Sequence, residues 1–175
     1  MLIRFVTSIL VFLLLWSAPH AAQTGEWIKL APPGGGFSVM MPIKPNESME
    51  TKENYTVHSY GAATANTIFI AVYVDYAPSV KLNDAAELVA NRDNFLKGLN
   101  ARLISSKEIK LDGRSGLEFI AEDDRRSYKS RVYILGNRVH QIATAVFKDS
   151  DDTEKVDRFF ASFAFTEDAD SHAKP

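Results

Sequence analysis

The run from Leu103 to Phe147 constrains this chain more than any other stretch. It holds four segments of strand character separated by turn signals, and two helical patterns flank it. Side chains alternate across a strand, so a register that puts apolar residues together also fixes which residues share each face. Leu135-Gly136-Asn137-Arg138 reads as a two-residue hairpin, because Gly-Asn tolerates the positive φ of primed turns. That sets Ile134 opposite Val139, Tyr133 opposite His140, and Arg131 opposite Ile142. The preceding connection, Asp124-Arg125-Arg126-Ser127, reads as a four-residue loop with Asp123 opposite Tyr128, Phe119 opposite Val132 and Leu117 opposite Ile134. Both registers place Leu117, Phe119, Ala121, Val132, Ile134, Val139, Ala143 and Ala145 on one core face. Asp112-Gly113-Arg114-Ser115-Gly116 reads as a five-residue loop, which brings Ile109 and Leu111 to the same side.

The opposite face is mixed, with rows Glu118/Tyr133/His140, Ile120/Arg131/Ile142 and Glu122/Lys129/Thr144. Cross-strand neighbours stand about 4.5–5.5 Å apart at Cβ. Glu118, Arg131, Tyr133 and His140 therefore form the candidate binding cluster: a carboxylate, a guanidinium, a phenol and an imidazole suited to gripping a polar group or a partner's side chain. The plain alternative is a half-exposed sheet with charges placed for solubility and register. If segments around Trp27 and Phe37 cover this face instead, Tyr133 and His140 are core residues. The basic hairpin tip at Arg125-Arg126, with Lys129 and Arg131, is a solvated turn or a second partner-binding feature.

Upstream, Glu26 to Ala31 and Phe37 to Met41 are short strand candidates joined by a Pro32-Pro33-Gly34-Gly35-Gly36 turn. The glycines lead into a strand and Pro42, whereas a phosphate cradle needs a helix N-terminus followed by Lys-Ser/Thr. The polar stretch from Pro42 to Asn54 reads as loop or irregular edge. Tyr55 to Gly61 and Thr67 to Tyr76 are strands, the second apolar on both sides and so central. Asp84-Ala85-Ala86-Glu87 has capping-box spacing with Asp84 as N-cap. The helix it opens carries Ala85, Leu88, Val89, Phe95, Leu96 and Leu99 on its apolar stripe and ends at Gly98 and Asn100. A second helix buries Val156, Phe159, Phe160 and Phe163. The acidic run Asp149 to Glu154 before it lacks the glycine and final glutamate of a calcium loop and reads as helix capping.

Residues 1–22 read as a signal peptide: Arg4 as the positive start, an apolar run from Phe5 to Trp16, and small residues near Ala21-Ala22. The run is shorter than the roughly 20 apolar residues of a membrane span, so no stable span is expected after cleavage. Residues 23–167 are long enough for one domain with its own core, and 168–175 read as a mobile polar tail. An exported chain with no cysteine points to a bacterial periplasmic or secreted protein, since small extracellular eukaryotic modules lean on disulfides. The net charge of −2, with basic residues scattered, gives no footprint for nucleic acid. No nucleophile motif, dinucleotide fingerprint or zinc-ligand spacing is present. Ser130 lies on the core face, away from His140 and Glu118, and no cofactor or metal is expected.

The order of short strand, Gly36-Phe37-Ser38-Val39 running into Pro42, strands, helix, antiparallel meander and final helix resembles the PsbP-like superfamily. So do Gly113, Gly116-Leu117-Glu118-Phe119 and the run from Arg131 to Ile142. The resemblance implies an α+β domain, an antiparallel sheet of about six to eight strands with two helices packed on it, and binding or assembly roles. The expected function is a non-enzymatic exported binding or assembly module of the bacterial envelope, acting through a protein partner. The alternative is a small-ligand carrier with a pocket between sheet and helices, and an envelope hydrolase stands behind both.

Overall fold

Short polar or glycine-bearing turns and β-rich segments alternate through most of the chain, and most strands pair with a neighbour in sequence. The structure, a computed structural model, describes residues 26–167; the expected signal peptide at 1–22 and polar tail at 168–175 lie outside them. In chain order the elements are β1 (Ile28–Leu30), β2 (Phe37–Met41), β3 (Asn46–Thr51), β4 (Tyr55–Ala63), β5 (Thr67–Tyr76) and α1 (Asp84–Leu99). They continue with β6 (Arg102–Leu111), β7 (Arg114–Glu122), β8 (Arg126–Leu135), β9 (Arg138–Phe147), α2 (Thr153–Ala161) and β10 (Ala164–Phe165). Seven strands make one antiparallel sheet in the order β3-β4-β5-β9-β8-β7-β6, and three make a smaller one, β1-β2-β10. β5 is interior and buried on both faces, as its doubly apolar run requires.

The β8–β9 hairpin has the expected register, with Tyr133 opposite His140 and Ile134 opposite Val139. Gly136 carries the positive φ of +56° at the first central position. The β7–β8 register is displaced by two residues from expectation: Leu117 faces Val132, and Phe119 faces Ser130. The cause is Asp123. Its carboxylate accepts the backbone N–H groups of Arg125 and Arg126, both at 2.7 Å, and the Tyr128 hydroxyl at 2.6 Å. A side chain that satisfies these donors closes the link in two residues instead of four. An even displacement keeps every residue on its face, so the predicted core set stands: all eight residues are buried in one cluster with Leu88 and Phe95 of α1.

The β6–β7 turn departs further. Asp112 and Gly113 both take positive φ, +51° and +78°, and Leu111 pairs with Arg114. This two-residue Asp-Gly turn sends Ile109 and Leu111 to the mixed face, where they pack beside its core cluster. The polar segment expected as loop contains β3, an edge strand whose six residues are exposed or half-exposed. Exposure on both sides leaves no alternation to detect. The α1 N-cap is Asn83, one residue before the expected Asp84, with its Oδ1 accepting the N–H of Ala86 at 3.1 Å. Ala85 and Val89 are exposed, and Asn91 occupies the buried position instead. Asn100 ends the helix in the left-handed region at φ +50°.

The largest correction concerns the mixed face, which is covered. β2 lays Phe37, Val39 and Met41 over it, α2 adds Phe159 and Phe160, and Phe163 follows; each is nearly or wholly buried. The domain is a sandwich with an apolar layer on each side of the seven-stranded sheet. Asp152 sits at the N-cap of α2, yet its carboxylate makes no capping bond to the helix. It accepts the Thr67 hydroxyl at 2.7 Å and the Lys155 ammonium at 2.5 Å, tying the helix start to β5.

Candidate functional site

Glu118, Arg131, Tyr133 and His140 fall into two adjacent rows, Glu118 opposite Arg131 and Tyr133 opposite both His140 and Gly116. Glu118 is only 6% exposed. It accepts the Arg131 Nε–H at 2.7 Å and meets the Lys107 ammonium at 2.9 Å. Burial opposes its charge, but these two cationic donors outweigh that and hold the carboxyl below its ordinary value. Arg131 also donates from Nη1 to the Phe160 carbonyl at 3.3 Å and lies over the Phe160 ring at 5.2 Å. A carbonyl in the last turn of a helix lacks an intrahelical donor, so this arginine fastens α2 to the sheet.

Tyr133 and His140 are core residues, at 2% and 1% exposure. The Tyr133 ring lies over Gly116, where an added Cβ would come within 2.5 Å of it. It stacks on Phe163 at 5.6 Å with 3° between planes, and burial raises its hydroxyl pKa. His140 Nε2 lies 2.9 Å from the Gly35 carbonyl. A carbonyl can only accept, so Nε2 carries the proton. The imidazole meets Phe37 and Phe165 edge-on at 5.7 and 5.4 Å.

Arg138, which the sequence did not single out, has the companion role. It forks onto the Asp75 carboxylate and donates from Nη1 to the Gly34 carbonyl at 2.6 Å, with its guanidinium over Tyr73 at 4.7 Å. Arg138 and His140 together clamp the Pro32–Gly36 loop. The predicted quartet thus holds the two layers together, and only Arg131 retains substantial exposure. His58 stacks face to face on Tyr73 at 4.3 Å, and burial lowers its pKa. Ser130 is fully buried on the α1 face and accepts the Gln141 amide at 3.0 Å.

The remaining row of the mixed face leads into open surface. Ile120, Lys129 and Thr144 line a groove of about 590 Å³ between the sheet and the start of α2, with Val146, Phe147, Val156 and Asp157 contributing. Lys129 spans it, 3.7 Å from the Asp157 carboxylate and over the Phe160 ring at 4.8 Å. A second depression of about 600 Å³ lies at the β7–β8 tip, lined by charged residues including Arg102, Asp124, Arg125 and Lys148. Glu122 borders both, paired with Arg102 and with Lys148 at 3.2 Å, and the lysine and arginine donors lower its carboxyl pKa. Of the seven large hydrophobic side chains exposed among the described residues, four sit at this end: Leu103, Ile104, Ile120 and Phe147. A register shift between Leu103 and Ser105 turns the edge strand beside Ile120. The tip therefore carries exposed apolar side chains on both faces of the sheet, Leu103 and Phe147 on the α1 side and Ile120 on the other, among residues of both charge signs. No helix among the described residues is long and apolar enough to cross a membrane.

No protein-family model and no curated protein matches the chain. Among solved structures, the chain is similar to cyanobacterial PsbP (CyanoP) from Synechocystis sp. PCC 6803. The TM-score is 0.58 at 13% identity, over 85% of this chain and 98% of that one. A crystal structure of a protein from Bacteroides thetaiotaomicron VPI-5482 aligns at a TM-score of 0.40 and 16% identity, over 79% of this chain and 48% of that one. On that likeness to the cyanobacterial structure, this chain, with its two helices and two antiparallel sheets, has the PsbP-like fold.

Proposed function

We propose that this protein is an exported bacterial binding module that acts through a protein partner, docked at the β7–β8 end of the sandwich. The observation that carries this reading is the gathering of Leu103, Ile104, Ile120 and Phe147 beside two depressions with mixed-charge rims. Four of the exposed large apolar side chains at one end of the sheet, wrapping its two faces and bordered by charged residues, give a partner that straddles this end both apolar contact and polar positioning. Export rests on the signal-like residues 1–22. The groove between sheet and α2 favours a second reading, a small-ligand carrier, because its floor is apolar and its rim polar.

Site-specific photo-crosslinking in the host separates the two. One defined polypeptide joined from positions 120 and 147, but not from the exposed controls Ile28 and Val89, supports the docking surface. A small mass retained in native mass spectrometry and lost in Ile120→Asp supports the carrier. Neither crosslink nor retained mass refutes both.

A further inference from the structure

The seven-stranded sheet ends in β3 on one side and β6 on the other, and each pairs with a single strand. Unpaired edges are templates for another strand unless something blocks them. Charge divides unevenly between them. β3 contributes Glu47 and Glu50 and no cation, whereas β6 contributes Arg102, Lys107 and Lys110 against Glu108. The acidic pair and the lysine pair have the same spacing of three residues.

We propose that the β3 edge of one copy pairs antiparallel with the β6 edge of another, Glu47 opposite Lys110 and Glu50 opposite Lys107. Six antiparallel pairings separate β3 from β6, so the two edges run in the same direction within one molecule. An antiparallel approach therefore turns the second copy over and exchanges its sheet faces. That exchange is what the side chains require. Glu47 pairs with Tyr60 on the mixed face, and Lys110 pairs with Ser115 on the α1 face; Glu50 pairs with Val57 on the α1 face, and Lys107 with Glu118 on the mixed face. Turning one copy over brings each glutamate to the side of its lysine. The six residues of β3 cover Ser106 to Leu111, clear of the irregularity at Leu103–Ser105. The Glu50–Lys52 contact is exposed on both sides and exchanges at small cost, whereas the Lys107 ammonium, with three donors, keeps buried Glu118 and offers a further donor to Glu50 from its exposed end. Because the two edges differ, the contact is head-to-tail and builds open chains unless its rotation closes a ring.

Sedimentation velocity across a concentration series, at low and high salt, tests this on the purified protein. The wild type is expected to associate with rising concentration, less so in high salt. Glu47→Lys and Lys110→Glu should each weaken association about tenfold, one attraction having become a repulsion across the strand gap. An equimolar mixture of the two variants should regain association, since each supplies the complement the other lacks. Both positions are at the surface, and circular dichroism checks that each variant folds. A wild type that stays monomeric throughout overturns the proposal, because the edge charges then act only to keep copies apart. So do variants that associate like the wild type, or a mixture that gains nothing.

Discussion

Phe119 and Ile120 are neighbours in β7 that stand on opposite faces of the sheet, so truncating each to alanine separates the core from the open surface. Phe119 is 0% exposed and meets Phe95 of α1 edge-on at 5.3 Å. Replacing a phenylalanine so enclosed leaves a cavity that rigid strands cannot fill, a loss of about 3–5 kcal/mol. Ile120 is 38% exposed on the groove floor, where truncation leaves little void, and a loss below about 1 kcal/mol is expected. In a domain of this size each kcal/mol moves Tm by about 2–4 °C. Phe119→Ala should therefore lower Tm by roughly 6–20 °C and Ile120→Ala by about 4 °C or less. Urea unfolding followed by far-UV circular dichroism reads both, with unchanged m-values confirming a pure stability effect. Partner crosslinking should respond in the opposite sense, falling for Ile120→Ala and persisting for whatever Phe119→Ala remains folded. Equal losses of midpoint would refute the face assignment.

His140→Ala removes the partner of the Gly35 carbonyl and opens space beside Phe37 and Phe165, so a loss of about 2–4 kcal/mol in urea unfolding is expected. A Tm unchanged within two degrees would contradict the covered face. Gly116→Ala would set a methyl 2.5 Å from both the Tyr133 ring and the Val132 carbonyl; it should cost about 1–3 kcal/mol through overpacking, and a neutral thermal melt would refute that contact. The carboxyls of Glu118, Asp123 and Asp152 all titrate below their ordinary values of 4.5, 3.8 and 3.8. A carboxyl lowered by folding contributes stability above its unfolded pKa and loses it as pH falls through the folded one. Unfolding free energy should therefore hold from neutral pH to about 5 and fall below it, with Glu118→Gln flattening the slope. A flat profile from pH 5 to 3 would refute the three pairings.

Alternation made the faces legible in advance because it survives an even error of register: Leu117 and Phe119 keep their side although their partners differ by two. It failed at Asp112-Gly113, where the apolar character of Ile109 and Leu111 argued for the α1 side. No local pattern revealed that a second apolar layer waited on the other side of the sheet. β3 escaped notice because an edge exposed on both sides carries no period. The quartet of Glu118, Arg131, Tyr133 and His140 was legible as a set of neighbours, but its burial depends on Phe37, Phe159 and Phe163, which are distant in sequence. The groove was hardest to foresee, since it exists only where α2 stops covering the row of Ile120, Lys129 and Thr144.

The smaller sheet sets an order of events for folding. β2 lies between β1 and β10, the first and last strands described, and Met40 donates its N–H to the Ser162 hydroxyl across 122 positions of chain. The hairpins of the large sheet and the α1-side core draw on contacts closer in sequence, whereas the second layer closes only when both ends of the domain meet. Non-local closure of this kind slows folding. A nascent chain that has reached Phe147 has β1 and β2 to lay over Tyr73, Tyr133 and Ile142 but lacks Phe159, Phe160 and Phe163, so its second layer is incomplete and open to aggregation. The clamp of His140 on Gly35, 105 positions away, needs nothing beyond β9, and the layer is complete only when α2 and β10 dock on β2. Trp27, edge-on to Phe69 at 5.9 Å, is placed to report its closing by fluorescence.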